Sequence, residues 1–331
     1  MKALNDILSR GTVGLPTRHG ALTAYPLLGG ADAAAAHYML LDEALGCGGL
    51  RITETSELGS VPRLLAINLT RQPILLLDGE ELIGARQNRV VNLSILLPAD
   101  STTAIPVSCV EAGRWRTTTP SFQSAGRVHF SAARAQKLEQ VSASLRVTGV
   151  ADSDQSSVWD AISTKSARMN VSSPTAAMAA LFESRHDDMR AFADALRAEP
   201  GQFGAVYAIG SALIGVELFD SAATFGKAAE KLVTSYAIDA VEATSAAAPP
   251  DTAAVTTFLD QVGSATRDHS SSVGLGTNVR LSGPEVVGAG LVWEDSCIHL
   301  AAFRRPEGVG NVDRRVSGAR MQSWCSRARR S

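Results

Sequence analysis

Between about Leu50 and Trp115 the chain is a series of short apolar runs separated by turn residues: LRITE, LLAINLT, ILLLDGE, NRVVNLSILL and AIPVSCVE. Runs of this length, bounded by proline and glycine, read as strands. Pro62, Pro73, Gly84 and Pro98 supply the breaks, through the restricted or permissive backbone these residues impose. The pattern predicts a β-rich N-terminal half, preceded by a short helix around Ala33 to Leu45.

Further along, the period lengthens. Ser173-Pro174 reads as a helix start, followed by Met178, Leu181, Phe182, Met189, Phe192 and Leu196 at spacings of three or four. That helix is expected to run to Glu199-Pro200-Gly201. FGAVYAIGSALIGVELF then reads as a hairpin with Gly210-Ser211 at its tip, and a second helix carries Phe225, Leu232, Val233 and Tyr236 on one face. The proline-containing segment EATSAAAPPD (242–251) reads as an exposed connection. A short helix through Val255, Phe258, Leu259 and Val262 precedes three strand-like runs, SVGLGTNVRL, EVVGAGLVW and CIHLAAF, that look like a closing meander. The fold class is therefore α+β: a β-rich N-terminal half packed with a C-terminal half of helices, a hairpin and the meander. No repeat of fixed period is visible.

After Phe303 the apolar period stops and an arginine-rich segment begins. Residues 304–331 are expected to form a basic, disordered tail outside a domain of residues 10–303. The whole chain has 331 residues, 45% hydrophobic, with a formal net charge of -2, so it can bury a large core and lacks the basic field that nucleic acid or an anionic membrane requires. Nucleic acid is expected only through the tail. Cys47, Cys109, Cys297 and Cys325 are far apart and form no metal-ligand spacing, and no secretory leader or bilayer-length apolar run is present. A cytoplasmic protein with reduced thiols follows, with no metal; no motif names a cofactor, and the oligomeric state is open.

The candidate chemistry is concentrated in LLLDGEELIGARQNRVVN, Leu75 to Asn92. Large polar side chains crowd a hairpin where small turn residues would suffice, and burying them unpaired is costly. Period two places Asn88, Val90, Asn92 and Ser94 on one side, and Arg89, Val91, Leu93, Ile95 and Leu97 on a core side. Glu80 and Glu81 are expected to approach Arg86 or Arg89. Downstream, Glu111 with Arg114 suits a polar pocket and Trp115 either a stacking wall or a core plug, whereas Cys109 reads as a small buried hydrophobe. Glu80, Glu81 and Glu111 are the acid–base candidates; Gln87, Asn88, Arg89, Arg114 and Trp115 are the ligand-binding ones. Glu80, Glu81, Gln87, Asn88, Arg89, Glu111 and Arg114 are expected to converge, with a structural ion-pair network as the competing account. Ser121 to Arg134 could form an anion-contacting loop, and Glu183 to Asp188 reads as a solvated helix face. Neither a GxGxxG nor a Walker loop is present, and the GLG at Gly274 to Gly276 lacks the strand-to-helix setting.

In order, LDGEELIGARQNRVVNLSILLPA, IPVSCVEAGRW, SSVWDAI, VELFDS and VGLGTNVRLSGPEVVGAGLVWEDSCIHLAAF resemble the family called the ARG and Rhodanese-Phosphatase-superfamily-associated Protein domain, over roughly residues 10–303. The name records that members accompany ADP-ribosylglycohydrolases and rhodanese-phosphatase proteins. The resemblance implies a prokaryotic-type cytoplasmic α+β protein and draws attention to GEELIGARQNR and SCVEAGRW; the tail departs from the family pattern. Strand spacing in the first half is also similar to half of a cupin-type jelly roll without its metal-binding histidines, so that half is expected to be sandwich- or jelly-roll-like. Two readings stay open: an enzyme acting on a nucleotide-derived or ADP-ribose-like small molecule, or a non-catalytic ligand-sensing or scaffolding domain.

Overall fold

The computed structural model describes residues 2–29, 37–56, 62–243 and 247–305. The β-rich half closes on itself: Ser101–Cys109, Arg63–Asn68, Leu50–Glu54, Phe122–Val128, Glu80–Gly84 and Arg89–Val91 form a six-stranded barrel, the last strand pairing back to the first. Closure leaves no strand edge to cover. Register decides what lies inside, because side chains directly opposite one another share a face. Cys109 faces Arg89, Arg89 faces Leu82, Val107 faces Val91, and Leu64 lies between Ile105 and Glu54. The interior is accordingly an apolar cluster that includes Ile52, Leu64, Leu82, Val91, Ile105, Val107 and Phe122, with Glu54, Arg89 and Cys109 on the same faces at one end.

A small sheet of Ile95–Leu97, Ile74–Leu76 and Met39–Leu40 flanks the barrel. The stretch from Asn88 to Leu97 is thus not one strand, since its two halves join different sheets. The short helix before the barrel is Leu41–Gly46, later than expected; residues 33–36 of the predicted span lie outside the described residues.

The second half is built on a nine-stranded sheet. Its path runs Thr12–Val13, Leu22–Leu28, Gln202–Ile209, Ala212–Phe219, Ser296–Arg304, Val286–Trp293, Thr277–Ser282, Thr266–Ser271, with Thr17–His19 pairing Leu22–Leu28. The predicted hairpin turns at Gly210, where φ is +57°, and the three meander strands are as read. The N-terminal strands join this sheet across some 180 residues of chain, Tyr25 lying opposite Val206. One sheet face packs on helices Lys2–Ser9 and Thr252–Ser264 through Leu4, Ile7, Val255, Phe258 and Val262. The other takes helices Ala222–Ala240 and Ser131–Thr148, whose core is continuous with the outer barrel residues Val90, Val110 and Val128.

Two expectations need correction and one helix is added. Ser173-Pro174 does not start a helix: Met178 N–H donates to Val110 O (2.9 Å) and Gly113 N–H to Thr175 O (2.8 Å), so this segment is held as a strap along the barrel exit. Helices follow only at Ala179–Glu183 and His186–Ala195. The stretch Ser121 to Arg134 is not a loop but the strand Phe122–Val128 running into helix Ser131–Thr148, and a further helix, Gln155–Arg168, is capped by Asp154. The run from Glu183 to Asp188 is exposed, as read. The arginine-rich tail after Arg305 lies outside the described residues.

Charges join the layers. Arg134 donates to Glu217 (2.6 Å), whose other carboxylate oxygen meets His299 Nε2 (3.1 Å), while Tyr236 donates its hydroxyl to Glu217 (3.0 Å). His299 Nδ1 meets Ser94 Oγ (2.8 Å), and Ser94 accepts the Asp78 N–H (3.0 Å), so a ring protonated on Nε2 satisfies both partners. Lys137 is paired with Asp78 and donates to Val91 O (2.8 Å). All these groups are buried except Ser94, which is half-buried. Burial opposes the Glu217 charge, but Arg134 and His299 hold its carboxyl below the ordinary range.

Removing one member of such a pair leaves the other charge buried and uncompensated, which costs about 3–5 kcal/mol, against under about 1 kcal/mol for a surface pair. Glu217→Ala is therefore expected to lower the urea midpoint far more than Arg185→Ala, whose side chain meets Asp188 at 3.8 Å on an exposed helix. Equal midpoints for the two variants would refute this assignment.

Candidate functional site

The barrel end that carries Arg89 gathers most of the polar residues singled out in the sequence. After strand Glu80–Gly84 the chain turns through Ala85, which adopts a positive φ of 41°, and this brings Gln87 and Asn88 over the end of strand Ser101–Cys109. Gln87 bridges the two: its amide donates to Glu111 O (3.0 Å), and its oxygen accepts from Arg89 (2.8 Å) and from the Cys109 thiol (3.0 Å). Glu111 accepts the Asn88 N–H (3.1 Å), the Thr175 hydroxyl (2.8 Å) and Arg114 Nε (2.8 Å). Arg114 reaches on to Asn88 Oδ1 (3.0 Å) and Ala85 O (2.8 Å). Every oxygen of Glu111 is occupied.

Arg89 is different. It is 0% exposed, yet its Nε and Nη2 meet no hydrogen-bond partner among the described residues. Glu54 shares the barrel interior with it, close enough to favour its charge, but both Glu54 carboxylate oxygens are likewise buried without a partner, and no ion pair within 4.0 Å joins the two. Burial pulls the Arg89 guanidinium below its ordinary value, the main opposition coming from Cys109 and Glu54. Trp115 lies over the Arg89 guanidinium, and also over that of Arg86, each at 5.7 Å from the ring centroid. Trp115 is 47% exposed, so it is neither core plug nor free surface but a partial cover.

The two remaining acids leave the set. Neither pairs with Arg89: their cations are Lys231 and Arg127. Glu80 bonds Lys231 of helix Ala222–Ala240 (2.6 Å), which also holds Asp42 (2.6 Å). Burial would lower the Lys231 ammonium, but Glu80 and Asp42 outweigh it and raise it above its ordinary value. Glu81 is bound by Arg127 (2.5 Å), and Glu111 is near enough to oppose its charge. The single converging cluster is therefore Gln87, Asn88, Arg89, Glu111, Arg114 and Trp115, with Glu81 beside it and Glu80 in a separate network. Cys109 sits inside the barrel, where burial raises its thiol above the usual value, so it is a poor nucleophile. Glu54 and Thr175 were missed: Glu54 ends a run that reads as a plain strand, and Thr175 comes from 64 residues downstream of Glu111. Among the described residues no group of three His, Cys, Asp or Glu could hold a metal ion, and no helix is long and apolar enough to cross a membrane.

A family model for the ARG and Rhodanese-Phosphatase-superfamily-associated Protein domain matches residues 11–303. The chain belongs to that family. No curated protein and no solved structure matches it. Within this ARG and Rhodanese-Phosphatase-superfamily-associated Protein domain, the matched span takes in both sheets and the whole barrel-end cluster.

Glu111 gives a pH dependence with a definite sign. Burial would raise its carboxyl, but hydrogen bonds from Arg114, Thr175 and the Asn88 N–H more than offset that and hold it below the ordinary value. A depressed carboxyl contributes stability that is present above the unfolded-state pKa, about 4.3, and lost as pH falls through the lower folded value. Glu111→Gln should therefore destabilise the protein at pH 7 and narrow its gap to wild type as pH falls below about 4. A gap that stays constant across this range would show that Glu111 does not titrate as its contacts require.

Proposed function

We propose that this chain is a non-catalytic binding domain for a nucleotide-derived, ADP-ribose-like small molecule, held at the barrel end and acting in the cytoplasm. The observation that carries this reading is the buried Arg89 guanidinium with two unpartnered donors beneath Trp115. A guanidinium in that state lacks an oxyanion, and arginine takes a phosphate by paired N–H donors. The unpartnered Glu54 carboxylate nearby is an acceptor for a hydroxyl, and a half-exposed indole offers a face for a ring. Phosphate, sugar hydroxyl and base are the three parts of a nucleotide. The route to Arg89 passes Trp115, which must tilt or stack for the ligand to enter. The free Cys47, Cys109 and Cys297 accord with a reducing compartment.

Binding is favoured over catalysis because the acids do not stand at an open cleft in a form ready for proton transfer. Glu111 is fully paired, Glu81 is bound by Arg127, and Glu80 is buried against Lys231. The one carboxylate assigned to the ligand, Glu54, is an acceptor for its hydroxyl, with none of the three candidate acids free beside it to form an acid–base pair.

The test is a thermal-shift titration with ADP-ribose, AMP and adenosine. Ligand at a hundred times Kd stabilises the native state by about 2.7 kcal/mol. ADP-ribose and AMP should raise the melting temperature and adenosine much less, with the effect lost in Arg89→Met and reduced in Trp115→Ala and Glu54→Gln. If no nucleotide-derived compound shifts the wild type, or if Arg89→Met responds as the wild type does, the reading is wrong.

A further inference from the structure

A second arginine is buried without a partner, far from the barrel end in sequence and on a different layer. Arg280 lies in strand Thr277–Ser282, and its register alternates with Val279 and Leu281, which face the Leu4–Phe258 side of the sheet. Arg280 therefore points the other way, beneath helix Ser131–Thr148. It is 5% exposed, and its Nε and Nη2 meet no hydrogen-bond partner among the described residues. The anion that most favours its charge is Asp78, already committed to Lys137 and Arg134; burial dominates and pulls the Arg280 guanidinium down to about 10.

Arg280 lines a cleft of about 130 Å³ between this helix and the sheet. Arg146 and Arg305 stand on its walls with Ser142, Ser282 and Glu139. Arg305 donates to Ser282 Oγ (3.1 Å) and sits 3.1 Å from Glu139, so the one carboxylate of the lining is already compensated. Arg146 reaches outward to Asp268 at 3.2 Å, an exposed pair weak enough to exchange. Three guanidiniums thus line one cleft, alongside Ala143, Leu281 and Val287, with one neutralised acid among them.

We propose that this cleft is a binding site for a phosphate-type oxyanion, with Arg280 as the buried anchor and Arg146, Arg305 and the two serines closing around it. Such a ligand would accept both free Arg280 donors at once, and arginine matches it in geometry as lysine does not. Chloride would not: it has the charge but cannot bridge donors on opposite walls. The source of the oxyanion is either free phosphate or the phosphoryl end of a small monoester. This site is independent of the barrel end.

Isothermal titration of the full chain at constant ionic strength, with inorganic phosphate, glycerol 3-phosphate and chloride in separate arms, tests it. Phosphate should bind in a one-to-one ratio, Arg280→Met should abolish binding, and Arg146→Gln, a surface change that leaves folding intact, should weaken it about tenfold, the loss expected from one charge-assisted contact. Competition by glycerol 3-phosphate would mean that the cleft takes an attached phosphoryl group, and its failure that the cleft takes free phosphate; both support the site. Arg280→Met also removes an unpaired buried cation, so its melting temperature without phosphate should hold or rise. Absence of phosphate binding, equal heats for chloride, or unchanged affinity in Arg146→Gln would overturn the proposal.

Discussion

The architecture depends on charges that are buried and must be compensated. Arg134 and Lys137 stand one helical turn apart on the inner face of helix Ser131–Thr148, a position an ordinary amphipathic helix gives to leucine. They are tolerated because Glu217 comes from the sheet and Asp78 from the approach to the barrel, each at a fixed place. A buried ion pair contributes little net stability, since desolvation consumes most of the attraction, but it penalises every arrangement that separates the partners. Here the partners belong to three layers. If barrel, helix and sheet shifted relative to one another, Arg134 or Asp78 would be left unpaired, so the network sets their mutual position while the apolar cluster around Tyr236, Phe303 and Val128 supplies the stabilising burial.

The same feature explains where the sequence is silent. The helix Ser131–Thr148 is missed because its inner positions read Ser131, Arg134, Lys137, Leu138 and Val141, so the apolar period that announces a helix is erased by the charges that make it useful. The strap from Ser173 fails for the opposite reason: it has the local chemistry of a helix start, and tertiary pairing with Val110 and Gly113 overrides it. The hairpin around Gly210, the helix from Ala222 and the meander are legible, since their side-chain periods are set by one neighbouring layer and interrupted by turn residues. Strand Leu22–Leu28 carries no such sign, because it is buried on both faces and its partner is distant in the chain.

For the barrel end, the sequence locates the loop that carries the polar cluster and mistakes which acids join it. Polar residues packed between strand-like runs do mark a cluster, and the alternation that assigns Arg89 to a core side agrees with its place inside the barrel. Alternation cannot say that Lys231 and Arg127 are waiting for Glu80 and Glu81. Those partners come from 151 and 46 residues away, and only the closed barrel brings them near.

The buried cations of this chain divide into two kinds, and the division bears on function. Arg134 has Glu217, Lys137 has Asp78, Lys165 has Asp239 and Glu242, and Lys231 has Glu80 and Asp42. The fold can evidently place a carboxylate beside an interior cation, and does so four times over. Among the described residues Arg89 and Arg280 receive no ion pair, although each has a carboxylate in its neighbourhood, Glu54 and Asp78 respectively. Both are arginines, the cation that keeps its charge on burial and presents a planar fork. Had these positions served packing alone, an apolar side chain of similar length would avoid the desolvation cost altogether. A guanidinium kept charged, buried and without an ion pair is intelligible when the compensating anion arrives from outside, because the cost borne by the empty protein then becomes selectivity for the ligand that removes it.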